Sequence, residues 1–269
     1  MLSTEKIERV LRIELSKTIF SKPIFPINCF YIDGLLIDTG GSSLSREMIS
    51  FFKNHPLKKI VNTHYHSDHT GGNHALQSEF GIEILANPKT AEKLENPELA
   101  MYLQKFLYGP PMPSKALEIP DFIETENHRF QTIHTPGHTS DHISLYEEDE
   151  RWIFTGDLVL HGEPREVFVD VNIYDAIDSL RRVSKLEIRY LFPGHGEVFK
   201  APSDLLKKKI EFLENMKKKV LELHENGMDA EEIRDEIFGR ERLIAYLSQG
   251  KFSALNFVKC YLIFENEKD

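Results

Sequence analysis

Between residues 62 and 73 the chain reads NTHYHSDHTGGN, which places His64, His66, Asp68 and His69 within six positions. Neutral imidazole and carboxylate are donors that suit zinc, and they serve iron and manganese as well. The chain has 12 histidines in all, so three at one bend mark either a polar surface loop or half of a metal site. Four donors in so short a stretch would strain around a single zinc, and they read better as parts of two sites. The loop does not decide the matter alone, because the remaining ligands must come from elsewhere.

Three other stretches offer them. TIHTPGHTS sets His138 after a strand-like run and a Pro-Gly turn, and WIFTGDLVL sets Asp157 where an apolar strand meets Gly-Asp. YLFPGHGE sets His195 between Gly194 and Gly196. Glycines beside a ligand allow backbone geometries closed to other residues and let a metal or substrate come close. Taken singly, His138 and His195 would be strand-end histidines and Asp157 a turn aspartate. Together, all at the ends of apolar strands, they read as the missing ligands.

Other candidates are weaker. His134 and His142 flank His138 and read as strand residues or supports of the ligands, and His74 reads as solvated on a helix. Tyr65 reads as a packing ring. His161, four residues beyond Asp157, is a candidate for substrate contact or proton donation, against the plain reading of a loop histidine without a role. Tyr102, Phe106 and Tyr108 either wall an apolar pocket or pack a helix.

Two metal ions ~3.5–4 Å apart can share a water, lower its pKa to near neutrality and present it as hydroxide. One ion can also polarise a carbonyl or phosphoryl oxygen and hold the developing oxyanion. Asp68 is then the candidate to orient that hydroxide or accept its proton. No protein nucleophile is required, and none is evident. The chain has no G-x-S-x-G, and neither Cys29 nor Cys260 lies in a motif suited to attack.

The elements that must position these residues alternate between strand and helix over the first two hundred positions. Strands are predicted at Val10 to Leu15, Ile24 to Ile32 and Leu35 to Ile37, with a hairpin turn at Asp33-Gly34. Ser43 to Asn54 and Gly71 to Phe80 read as helices, around the strand KKIVNT that delivers the histidine loop; GIEILAN is a further strand. Pro88 to Tyr108 turns helical until GPPMPSK breaks it, so about 88–118 reads as an insertion and a candidate lid. Strands follow at Phe130 to His134, Ile143 to Tyr146, Trp152 to Thr155 and Ile188 to Phe192, with a helix at Tyr174 to Lys185. From Pro202 a long amphipathic helix runs through Leu206, Leu213 and Val220 to Gly227. Asp229 with Glu232 resembles a capping box, and a last helix is predicted from about Ser253 to Phe264. The organisation expected is a catalytic domain over 1–201 and a wholly helical appendage over 202–269.

The chain has 269 residues, 41% of them hydrophobic, enough to bury a large core. A formal charge of −10 disfavours long tracking of phosphate backbones. The two lysine triplets of LLKKKIEFLENMKKKV, interleaved with Glu211 and Glu214, read as a solvated helix face. No apolar run approaches a membrane span, and the opening residues mix charges too densely for a signal peptide. Cys29 and Cys260 read as buried small hydrophobes in a reducing compartment. A cytoplasmic chain is expected, and a homo-oligomer is compatible with it.

The order H-x-H-x-D-H, then His138, Asp157 and His195, resembles the metallo-β-lactamase superfamily. NCFYI, LLIDTGG, TPGHT, FTGD and PGHG extend the resemblance over roughly residues 20 to 200. It implies an α+β fold, a four-layer αββα sandwich with the site at one edge. It also implies that His64, His66 and His138 hold a first metal, that Asp68, His69 and His195 hold a second, and that Asp157 bridges them. Asp38 would support the histidine loop. The implied cofactors are two divalent ions, zinc first, with iron or manganese as substitutes. The implied activity is a dinuclear, metal-dependent hydrolase that turns a metal-bound hydroxide on a small ester-like molecule, a thioester or a lactone.

HTGGN, TPGHTSDHISLY and FTGD are similar to the glyoxalase II group, but GDLVLHGEPREVF stands where that group has a cysteine- and glycine-rich loop. This departs from recognition of a glutathione thioester. The lack of an export signal argues against a β-lactamase proper. The alternative is a metal-dependent endoribonuclease or phosphodiesterase, which the acidic balance disfavours. An iron-dependent persulfide dioxygenase ranks below both, because His69 and His195 are retained. No membrane partner is expected.

Overall fold

The computed structural model describes residues 1–20, 22–98, 102–159 and 162–263. The first sheet has seven strands in sequence order: β1 (Leu2–Ile7), β2 (Val10–Ile19), β3 (Lys22–Ile32), β4 (Leu35–Ile37), β5 (Lys59–Val61), β6 (Glu83–Ala86) and β7 (Leu117–Glu118). β1 to β4 are joined as antiparallel neighbours, and β4 to β7 run parallel. The β3–β4 turn is the expected Asp-Gly hairpin. Asp33 has φ 51° and Gly34 φ 89°, the pair of positive angles that a two-residue type I′ turn demands.

The second sheet contains β8 (Phe122–Glu124), β9 (Arg129–His134), β10 (Ile143–Glu147) and β11 (Trp152–Gly156). A separate short strand, β12 (Val167–Phe168), follows, before β13 (Tyr190–Pro193) and β14 (Phe199–Lys200) complete the second sheet in the order β14-β13-β11-β10-β9-β8. β11 and β13 are parallel, whereas the other neighbours are antiparallel.

The sheets face each other across Phe30, Ile37 and Val61 on one side and Phe130, Trp152, Phe154 and Phe192 on the other. Phe154 and Phe192 stack with centroids 4.7 Å apart. Each such buried ring contributes roughly 1.5–3 kcal/mol through lost water contact. The outer face of the first sheet is covered by α1 (Ser45–Phe52) and, after the one-turn helix α2 (Ser67–Thr70), by α3 (Asn73–Phe80), through Met48, Phe52 and Leu76. Beyond these lie α4 (Pro88–Glu95) and α5 (Tyr102–Tyr108).

The outer face of the second sheet is covered by α6 (Ile173–Val183) and by the helices that follow: α7 (Ser203–Glu225), α8 (Ala230–Phe238), α9 (Leu243–Leu247) and α10 (Ala254–Ile263). α6 turns Ile173, Ile177, Leu180 and Val183 inward at helical spacing. These residues share one apolar cluster with Leu206, Leu213 and Val220 of α7 and with Phe257 and Tyr261 of α10. The architecture is the four-layer αββα sandwich with C-terminal helices.

Local pattern predicts some of these elements and misses others. The capping box is present, Asp229 accepting from the Glu232 amide and Glu232 from the Asp229 amide. The 88–118 stretch ends in β7, which extends the first sheet beside β6. Within 202–263 there is also a strand, β15 (Phe252–Ser253), paired antiparallel with β12. The last helix therefore starts at Ala254, once that pairing ends. Phe264, the expected helix end, lies outside the described residues. Cys29 and Cys260 are buried and unbridged. Among the described residues, no helix is long and apolar enough to cross a membrane.

Candidate metal centre

The C-terminal ends of β4, β5, β9, β11 and β13 bring Asp38, the 62–69 loop, His138, Asp157 and His195 to one edge of the sandwich. There His64, His66, His138 and Asp157 form one group of mutually close donor atoms, and Asp68, His69 and His195 form another; in each group those atoms lie within 4.8 Å of one another. The seven residues expected from sequence thus come together. His161, the remaining candidate, lies outside the described residues.

Hydrogen bonds fix which nitrogen each ring presents. Asp38 accepts from the Thr63 amide and the Thr63 hydroxyl, both at 2.8 Å, and from His69 Nδ1 at 2.7 Å. The Thr63 proton is therefore committed to Asp38, so Thr63 Oγ1 accepts from His64 Nδ1 at 3.0 Å. His195 Nδ1 donates to the Pro26 carbonyl at 2.7 Å. In all three rings Nδ1 is bonded away from the centre and Nε2 is the nitrogen turned to the site, the usual arrangement of supported metal ligands.

The inward-facing atoms are short of partners. His64 Nε2, His69 Nε2 and Asp157 Oδ1 are buried and accept or donate no hydrogen bond, although His69 Nε2 lies 3.2 Å from Asp157 Oδ1. His66 Nδ1 and His138 Nε2 face each other at 3.0 Å. His195 Nε2 stands 3.3 Å from Asp68 Oδ2 and 3.6 Å from Asp157 Oδ2. Buried polar atoms left unpaired are costly, and a divalent cation would satisfy these together.

Electrostatics point the same way. Burial, aided by neighbouring His69 and His66, drives His64 well below the ordinary histidine range. Burial likewise takes His138 down to about 4. Both rings are neutral ligands at physiological pH. Burial raises Asp68, but His69 and His195 outweigh it and hold the carboxyl at about 2. His69 is lowered by burial and raised more strongly by Asp157 and Asp38, ending well above its usual range. Among the described residues the ion-pair neighbours of Asp68 and Asp157 are all histidines. The donor set fits a cation held by imidazole and carboxylate.

Close packing maintains the set. A Cβ on Gly194 would lie 2.7 Å from both Asp157 Oδ1 and His69 Cε1. Gly156 has φ +43°, and a Cβ there would meet His142 Nε2 at 2.7 Å. His142 Nε2 accepts the Asp157 amide at 3.1 Å while Nδ1 faces Thr135 Oγ1 at 2.9 Å, so this ring orients the backbone of Asp157. His134 instead bonds the Ser140 carbonyl at the turn, and His74 bonds the Pro113 carbonyl. Tyr65 packs against His66 with centroids 4.7 Å apart, yet its hydroxyl also donates to Asp170.

A cavity of about 430 Å³ opens over the donors. Its walls include Phe25, Leu107, Tyr108, Phe168 and Phe252. Of the insertion aromatics only Tyr108 is among them; Tyr102 and Phe106 are 85% and 51% exposed. Asp141, missed from sequence, accepts from the Tyr65 amide and the Thr90 hydroxyl and ties the histidine loop to α4. Its position beside His142 in the same turn was the available signal. Phe168 and Phe252 gave none, because they meet only through the β12–β15 pairing.

Comparisons with known proteins agree with this geometry. The chain is 31% identical over 207 residues to the beta-lactamase-like protein 2 homolog of Caenorhabditis elegans, covering 74% of this chain and 63% of that one. It is 29% identical to the atrochrysone carboxyl ACP thioesterase of Aspergillus fumigatus, covering 70% and 55%. It is also 29% identical to the hydroxyacylglutathione hydrolase of Pelagibacter ubique, covering 53% of each. The chain thus spans less than two thirds of the length of these curated relatives. Among solved structures, a metallo-beta-lactamase family protein from Thermus thermophilus superposes over 97% of this chain and 94% of that one, with TM-score 0.73 and 18% identity. The family model described as the metallo-beta-lactamase superfamily matches residues 23–195, and the chain belongs to that superfamily.

Proposed function

We propose that the chain is a metal-dependent hydrolase of small thioesters, with lactones next in order. The observation that carries this reading is a buried imidazole and carboxylate set, with unpaired atoms turned inward, at the floor of a largely apolar cavity. His64, His66, His138 and Asp157 would hold one divalent ion, and Asp68, His69 and His195 a second, with Asp157 between them. Zinc is the expected metal, with iron or manganese as substitutes. When bound, such ions supply Lewis acidity that activates a water and polarises the carbonyl under attack.

The chain's own residues do the rest. Asp68 accepts the proton given up by the attacking water as the C–O bond forms. The C–S bond then breaks, and the leaving sulfur takes the proton that Asp68 accepted, which restores the carboxylate. The apolar wall of Phe25, Leu107, Phe168 and Phe252 excludes bulk water and holds the acyl part. Asp38 and His142 keep His69 and Asp157 in register through the bonds already described.

A thioester carbonyl is favoured over a phosphodiester because, among the described residues, no lysine or arginine lines the cavity over the donors. A cleft for a polyanionic chain would need such cations. The names of the fungal and Pelagibacter relatives, a thioesterase and a hydroxyacylglutathione hydrolase, support the same choice. The test is a panel of thioesters, lactones, phosphodiesters and single-stranded RNA, each assayed before and after chelation. Chelation-sensitive thioester turnover is expected. RNA cleavage without thioester turnover would replace this reading with the nuclease one, and oxygen consumption with one iron per chain would refute hydrolysis.

A further inference from the structure

A second cavity, of about 350 Å³, adjoins the first and shares His66, Gln104 and Phe168 with it. The two differ in chemistry. The first is walled by aromatic and aliphatic side chains, and its one carboxylate outside the donor set, Glu166, is met by Arg165 at 3.2 Å and Arg242 at 3.6 Å. The second sets four charged side chains, Lys93, Lys251, Glu98 and Asp170, among apolar ones such as Leu94, Met112 and Val169. Lys93 Nζ lies 3.3 Å over the Tyr65 ring, and Asp170 accepts from the Tyr65 hydroxyl at 2.8 Å.

We propose that the site is divided by polarity at His66 and Phe168 and takes its thioester in one orientation. The apolar acyl group lies under Phe168 and Phe252, and a hydrophilic, charge-bearing thiol lies along Lys93 and Lys251. This rests on the thioester reading above. An acyl chain laid in the second lobe would strip water from four charged side chains without replacing it. A polar thiol laid in the first would lose its hydration against aromatic walls. The carbonyl then falls where the lobes meet, beside His66, a member of the donor set whose Nδ1 faces His138 Nε2.

The acyl wall is built to be rigid, and it is built partly from the C-terminal region. Phe168 pairs with Phe252 in register, with ring centroids 4.9 Å apart. Phe168 also lies 5.2 Å from the His66 ring. Behind the pair, Asn256 Nδ2 donates to the carbonyls of Val167, Gly250 and Lys251 at 3.4, 2.9 and 3.0 Å. One short strand pair thus sets both the acyl wall and, through Lys251, one side of the thiol lobe.

The test uses butanoyl and decanoyl thioesters, each made on coenzyme A, a phosphorylated thiol, and on the short neutral thiol N-acetylcysteamine. The purified metal-loaded protein is expected to favour the decanoyl over the butanoyl ester by about tenfold or more in kcat/KM, since apolar pockets discriminate by at least that factor per few methylenes. It should also favour coenzyme A over the neutral thiol. Phe252→Ala should reduce the acyl ratio and leave the thiol ratio unchanged, and Phe252→Leu should restore it, which separates lost contact from collapse of the strand pair. The double variant Lys93→Ala, Lys251→Ala should reduce the thiol ratio and leave the acyl ratio unchanged. A thiol ratio that moves with Phe252, or an acyl ratio that moves with the lysines, overturns the orientation. Turnover of all four esters with neither ratio moving overturns the division, whereas no turnover of any thioester overturns the reading beneath it.

Discussion

Asp38 accepts three hydrogen bonds, two from Thr63 and one from His69, so a single carboxylate sets both the path of the histidine loop and the tautomer of His69. Asp38→Asn would set an amide donor against the Thr63 hydroxyl and His69 Nδ1, which already donate. His69 would then move its proton to Nε2 and lose the lone pair it turns to the site. A fall of roughly 10–100-fold in metal affinity is expected, the usual cost of losing a ligand's supporting partner, measured by competition against a chelator of known affinity. Undiminished affinity would show that the tautomer is set elsewhere. Gly194→Ala works by bulk instead, since its Cβ would sit 2.7 Å from Asp157 Oδ1 and His69 Cε1. Overpacking of this kind costs roughly 1–3 kcal/mol, and thermal unfolding of metal-free protein should show it together with reduced metal content.

Among the elements, α7 holds a titratable group away from the centre. Lys209 is only 7% exposed and donates to the Gly162 carbonyl. Burial pushes its pKa down to about 8, against a smaller upward pull from Glu163. The folded state therefore binds this proton less tightly than the unfolded chain. The protonated form is disfavoured in the fold at neutral pH, and that penalty is relieved as pH rises from about 8 toward the ordinary lysine range. Stability should rise across that window by at most about 1.4 kcal/mol per pH unit from this group. Lys209→Met should flatten the rise in denaturant midpoints. An unchanged slope in that variant would place the titration on another group.

The same scale shows what the sequence could convey. The Asp33-Gly34 turn, the Asp229–Glu232 capping box and the α6 and α7 stripes are local signals, and the structure holds each of them. The donors at strand ends were legible because each is announced by a glycine turn after an apolar run. Elements made by distant pairing were not. β7 is two residues set beside β6, and β15 exists only because β12 lies opposite. Phe252 reads locally as the approach to a helix, and nothing near it in sequence marks it as a pocket wall.

For the whole molecule, the sandwich gathers the ends of five strands at one edge, the C-terminal helices share a core with α6, and the same region sends Phe252 into the cavity at that edge. The formal charge of −10 agrees with a cavity that, among the described residues, has no lysine or arginine over the donors. Binding of a small thioester through an apolar acyl group needs no long-range field to steer it, whereas capture of RNA would. The central claim is that the imidazole and carboxylate set binds two divalent ions and that hydrolysis depends on them. The direct measurement is to strip the purified protein with chelator and titrate zinc back while following thioester turnover. Turnover should be absent at the start, rise with added zinc and level off at two equivalents per chain. Turnover that survives complete removal of metal would contradict the claim.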